Sequence, residues 1–127
     1  ENRLMDAVGH FTEALGLEPQ NLTLLASRAS LTGRLNLHQA VLHDGEEIVR
    51  IMPDWHQGHA ICGSALFCLR QWAPSVRAYR KAMEYAPEDG NRPGLVQALF
   101  ASCVASRLAS RFASRFASRF ASTRIRN

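Results

Sequence analysis

Apolar residues recur along this chain at helical spacing. Leu4, Val8, Phe11 and Leu15 stand at i, i+4, i+7 and i+11, the stripe of an amphipathic helix, which predicts one over 3–17. This stretch and two others stop at a proline: Ala14-Leu15-Gly16-Leu17-Glu18-Pro19, Ile48-Val49-Arg50-Ile51-Met52-Pro53 and Ala82-Met83-Glu84-Tyr85-Ala86-Pro87. Proline disfavours helical geometry in the residue before it and so ends each helix. The prolines are 34 and 34 residues apart. The pattern predicts further helices near 22–35, 38–51, 55–69 and 72–85, and a last one beginning near 92–94.

Other positions keep the same phase. Twelve residues before each proline stand Ala7, Val41 and Ser75, and five before stand Ala14, Ile48 and Ala82. Twenty-four before Pro53 and Pro87 stand Ala29 and Gly63. Small residues at a fixed phase let helices approach closely. Eight before each proline stand Phe11, Gly45 and Tyr79, so an aromatic fills the space between helices in two units and is missing from the middle one. Gly33-Arg34-Leu35-Asn36 and Leu69-Arg70-Gln71-Trp72 read as turns within the units. Pro74 and Pro93 fall in first helical turns, where the missing N–H is harmless. Glu88-Asp89-Gly90-Asn91 reads as a turn that ends on Asn91, a candidate N-cap.

A period of 34 residues with two helices per unit resembles the tetratricopeptide repeat. The resemblance covers residues 1 to about 100 and implies an all-α helix-turn-helix solenoid with a C-terminal capping helix. On this reading 1–20 is a partial first repeat contributing its second helix only. Residues 21–54 and 55–88 are full repeats, 89–104 the capping helix, and 105–127 a low-complexity basic tail, a helical extension or disordered. The half repeat at the front, with Leu4, Val8, Phe11 and Leu15 on an exposed apolar face, predicts a fragment of a longer protein or a frayed N-terminal helix.

The segments Ala14-Leu15-Gly16-Leu17-Glu18-Pro19-Gln20-Asn21, Ser27-Arg28, Asp44-Gly45 and Pro53-Asp54-Trp55-His56-Gln57-Gly58-His59 are similar to the three-repeat domains of Hsp70/Hsp90 co-chaperones. That resemblance implies a concave groove that takes a peptide, in that family by gripping a C-terminal carboxylate with an amide and cations. The corresponding positions here hold Ser27, Gln57 and Ile61, so the clamp is not retained. The first helix of each repeat lines the groove, which makes Thr23, Ala26, Ser27, Ser30, Arg34, Gln57, Ala60, Ile61, Ser64 and Phe67 the candidate peptide-binding residues. The expected partner is a protein or peptide, a chaperone or its client included, in a cytoplasmic setting.

Composition changes this picture little. The chain has 127 residues, 46% of them hydrophobic, and no long apolar run. Three cysteines without a CxxC spacing argue against a disulfide framework or a zinc site, and Cys62 and Cys68 read as small core residues. Of five histidines, His56 and His59 stand at i, i+3, but His59 falls at a packing position. Asp44, Glu46 and Glu47 read as a solvated acidic face. No phosphate loop, nucleophile elbow or triad arrangement is present, so neither catalysis nor a metal or other cofactor is expected. The alternative that the segment docks a larger enzyme remains open at this level.

The net charge of +4 is unevenly placed: residues 101–127 hold six arginines and no acid. Within this tail, Ala-Ser-Arg-Leu is followed by three copies of Ala-Ser-Arg-Phe. A period of four drifts by about 40° per copy on an α-helix. Leu108, Phe112, Phe116 and Phe120 would form one winding ridge, and Arg107, Arg111, Arg115 and Arg119 a second. Such a stretch suits anionic membrane surfaces or nucleic acid; a passive extension is the third reading.

Overall fold

The computed structural model describes residues 2–87 and 92–125. These fold as α1 (Asn2–Leu17), α2 (Leu22–Arg34), α3 (His38–Ile51), α4 (His56–Cys68), α5 (Trp72–Tyr85) and α6 (Arg92–Ile125), with no strand among the described residues. Each helix packs on the next in the chain, and α2 also touches α4, which touches α6. Helices α2, α4 and α6 therefore form one layer, as the first helices do in a helix-pair solenoid. The expected Glu88–Asn91 turn and the Asn91 cap lie outside the described residues.

Local chemistry explains the helix ends. Asn21 caps α2: its side-chain oxygen accepts from the Thr23 and Leu24 amides at 3.1 and 3.3 Å, satisfying two orphan donors. The turns after α2 and α4 share one geometry. Asn36 and Arg70, which are 34 residues apart, have left-handed backbone with φ of 59° and 61°. The Leu37 amide reaches the Thr32 carbonyl at 3.0 Å and the Gln71 amide that of Leu66 at 2.9 Å, the long bond of a Schellman motif. The repeat period is thus written in backbone conformation as well as in the prolines.

The core is a string of small clusters. Leu15, Leu25 and Ile48 form the first, Ala29, Val41 and Ala65 the second, and Tyr79, Ala82, Ala86 and Leu95 the third. Half-buried Ile61 packs on both the first and second. Because Leu15 is buried in the first cluster, the expected apolar face of α1 is largely covered. Leu4, Val8 and Phe11 are half-buried, and the exposed apolar residues of α1 are Met5 and Leu17.

Close approaches use the small residues in phase. A Cβ on Gly63 would stand 3.0 Å from the Tyr79 ring, so that glycine seats the aromatic. In the middle unit α4 itself takes the room an aromatic would fill. A Cβ on Gly45 would lie 2.8 Å from Cys62 Sγ and 3.2 Å from the Cys62 backbone nitrogen. Ser75 and Ser102, both fully buried, tie α4, α5 and α6 together. Ser75 Oγ lies 2.8 Å from the Gly63 carbonyl and 3.1 Å from Ser102 Oγ, itself 2.9 Å from the Ala98 carbonyl. Two hydroxyl protons serve three contacts, so one proton is shared.

Two expectations are corrected. Asp44 does not belong to a solvated face: it is 2% exposed and paired with Arg28, because its register on α3 turns it toward α2. Cys68 is exposed, whereas Cys62 is buried; six residues on a helix put the two sulfurs on different faces.

Candidate functional site

The ten groove candidates divide between two helices in mutual contact. Thr23, Ala26, Ser27, Ser30 and Arg34 lie on α2, and Gln57, Ala60, Ile61, Ser64 and Phe67 on α4. Thr23, Ser30, Arg34, Gln57 and Ser64 are exposed, and the other five are half-buried. The exposed members on α2 stand at i, i+7 and i+11, which keeps them on one side of the helix. Of the five exposed candidates, Arg34 alone is a cation.

Four of the half-buried members have structural duties. Ala26 packs on the Leu15 cluster and Ala60 on the Tyr79 cluster. Ile61, as noted, joins two clusters. Phe67 meets Trp72 edge to face with centroids 5.2 Å apart, which fixes the end of α4 against the start of α5. The Ser64 hydroxyl donates to the Ile61 carbonyl at 3.0 Å, so its remaining capacity toward a ligand is as an acceptor. The exposed candidates are therefore the ones a ligand could reach, and the half-buried ones are engaged in packing.

On α4 as well, His59 is 7% exposed. Its Nε2 lies 2.7 Å from the Pro53 carbonyl, which can only accept, so Nε2 carries the proton. The ring also stacks on Tyr85 at 5.5 Å. This histidine braces the loop before α4 against α5.

A second cleft, lined by residues of α1, α2, α3 and the turn before α3, includes none of the groove candidates. Its polar feature is the Arg28–Asp44 pair, bidentate with Nε–Oδ2 at 3.0 Å and Nη2–Oδ1 at 2.5 Å. Arg28 Nη1 also donates to Thr12 Oγ1 at 3.4 Å. The Asp44 hydrogen bond raises the Arg28 guanidinium pKa above its ordinary value, burial working against it. One side chain thus links three helices. Both residues were visible in the sequence, but 16 residues separate them and no short motif announces the pair.

The tail residues Arg107, Arg111, Arg115 and Arg119 all lie on α6 and are exposed. The structure does not bring them to the α2–α4 face as a cluster. It adds a feature that the Ala-Ser-Arg-Phe copies hid. The exposed apolar ridge begins at Val96 and runs through Phe100, Val104 and Leu108 to Phe112 and Phe116. The four-residue step was the available signal, masked upstream by changing residue types.

No protein-family profile matches the sequence. The Hsp70-Hsp90 organizing protein of Triticum aestivum is 32% identical over 97 residues, which are 76% of this chain and 17% of that protein. Hsp70-Hsp90 organizing protein 2 of Arabidopsis thaliana is 36% identical over 89 residues, 70% of this chain and 16% of the relative. The solved Sgt2 tetratricopeptide domain of Aspergillus fumigatus superposes with a TM-score of 0.78 at 22% identity, covering 87% of this chain and 72% of that one. The chain has the tetratricopeptide-repeat fold. The first such domain of Spaghetti, solved with the HSP90 peptide SRMEEVD, superposes on this tetratricopeptide chain with a TM-score of 0.74 at 20% identity, over 84% of this chain and 82% of that one. The chain spans about a sixth of the length of the organizing proteins it matches (17% and 16%). No helix among the described residues is long and apolar enough to cross a membrane.

Proposed function

We propose that the α2–α4 face captures an extended peptide segment of a partner protein, as an adaptor in the manner of co-chaperone domains. The observation that carries this reading is the set of exposed polar residues Thr23 and Ser30 on α2 and Gln57 and Ser64 on α4, two helices in contact. Small side chains leave room for a chain, and their hydroxyl and amide groups offer hydrogen bonds to its backbone. The similarity to organizing proteins, and the peptide held by the Spaghetti domain, support a chaperone tail or a client segment as the partner class. The setting we infer is cytoplasmic, and the role that of a scaffold, not a catalyst.

Chemistry narrows the ligand. In the resemblance to co-chaperones the carboxylate-gripping positions fall on Ser27, Gln57 and Ile61. Two can hydrogen-bond and none is a cation, and neutral hydrogen bonds are weaker than charge-assisted ones. Affinity then depends on the ligand's apolar side chains and backbone rather than on its terminal charge. A peptide array probed with the full chain tests this. Binding to a defined set of heptapeptides is expected to fall about tenfold or more in a Ser30→Glu/Gln57→Glu chain, by introduced repulsion and bulk. Unchanged binding in that chain would remove the groove from the account. Ile61 is avoided as a probe because it packs in the core.

A further inference from the structure

The outer side of α6 carries two parallel ridges that neither the solenoid core nor the groove uses. One is apolar: Val96, Phe100, Val104, Leu108 and Phe112 are 50%, 70%, 41%, 49% and 72% exposed. Leu95, Ala98 and Leu99, interleaved with them, pack on the Tyr79 cluster, so the ridge lies off the packed face. The other ridge is basic: Arg107, Arg111 and Arg115 each precede the next apolar position by one residue, roughly 100° around the helix. Residues 110–119 are all exposed. This stretch of α6 gains little from burial, and a solvent-exposed helix with like charges at i, i+4 is marginal.

We propose that this part of α6 is an interfacial anchor for an anionic lipid surface, inserting Val104, Leu108 and Phe112 while Arg107, Arg111 and Arg115 engage the headgroups. Three observations select that occupant. The ridge drifts by about 40° per step, so these three apolar residues span about 80°, within the arc a flat surface can touch. The 34 residues of α6 include no acid, which gives charge complementarity to an anionic surface and repulsion toward a second copy of α6. Aliphatic Val96, Val104 and Leu108 share the ridge with the phenylalanines. An acyl boundary accepts both kinds of side chain, whereas a nucleic-acid stacking platform gains only from aromatics.

The test is flotation of the full chain with vesicles of phosphatidylcholine alone or with about one third phosphatidylserine. The chain is expected to float with the serine-containing vesicles and not with the others, and to be released as salt rises from about 50 to about 500 mM. Each arginine near such a surface contributes about fivefold, so Arg111→Gln/Arg115→Gln should lower partition roughly thirtyfold. Phe112→Ser should lower it about tenfold through lost apolar burial, with an unchanged thermal melt because that side chain is not packed. Equal flotation with both vesicle types, no flotation with either, or flotation undiminished in both variants would overturn the proposal. Tighter binding to polyuridylate than to the serine vesicles would overturn it in favour of nucleic acid. A dimer abolished by Phe112→Ser, without lipid binding, would overturn it in favour of self-association.

Discussion

Arg28 and Asp44 show how much rests on single side chains here. The carboxylate is 2% exposed and the guanidinium side chain 19%, so the two halves of the pair are not equivalent when broken. Removing Arg28 strands a buried charge, whereas removing Asp44 leaves an arginine that can reach solvent. Arg28→Met is therefore expected to destabilise by about 3 kcal/mol, and Asp44→Asn by clearly less. Urea midpoints of the two variants check the order, and equal losses would contradict it. A second residue-level effect appears at high pH. Burial pushes the Cys62 thiol from 9.0 up to about 11 and the Tyr79 phenol from 10.0 up to about 12. The unfolded chain then releases protons that the folded chain keeps. Stability is full below pH 9 and falls as pH climbs through 11 and 12, because the unfolded state binds fewer protons there. Urea midpoints measured at pH 8.5 and about 10.5 should show this drop, reduced in Cys62→Ala. A pH-independent midpoint would refute it.

At the scale of helices, the prolines at 34-residue spacing made most of the architecture legible. They locate helix ends because a residue before proline is forced out of helical geometry, a local effect needing no knowledge of the fold. The α3 and α5 spans, His38–Ile51 and Trp72–Tyr85, coincide with the ranges read from the sequence. What stayed hidden depends on pairing between helices. The glycine at 45 looked like a lapse in the aromatic position, yet it admits α4 to within contact of α3. Gly45→Ala should therefore cost about 1–3 kcal/mol, because the added methyl meets backbone as well as Cys62 Sγ and cannot be relieved by a rotamer change. Thermal melts check this, and a neutral Gly45→Ala would show that the close approach is slack. The burial of Asp44 and the exposure of Cys68 were hidden for the same reason: composition gives polarity, and only packing gives facing direction.

As a whole molecule, the chain is a short solenoid with exposed polar groups on α2 and α4 and one long helix carrying an apolar and a basic ridge. The candidate groove positions were legible only as a set of register positions on α2 and α4. Their division into exposed and half-buried members required the packing of Ala26, Ala60 and Ile61. The central claim is that the groove takes a peptide without gripping its terminal carboxylate. Fluorescence anisotropy of labelled SRMEEVD against the same peptide as its C-terminal amide, each titrated with the full chain, tests it most directly. Measurable binding that differs by no more than about threefold between the two forms is expected, since no charge-assisted bond to the carboxylate is made. A loss of about tenfold or more on amidation, the size expected of a charged hydrogen-bonded contact, would contradict it.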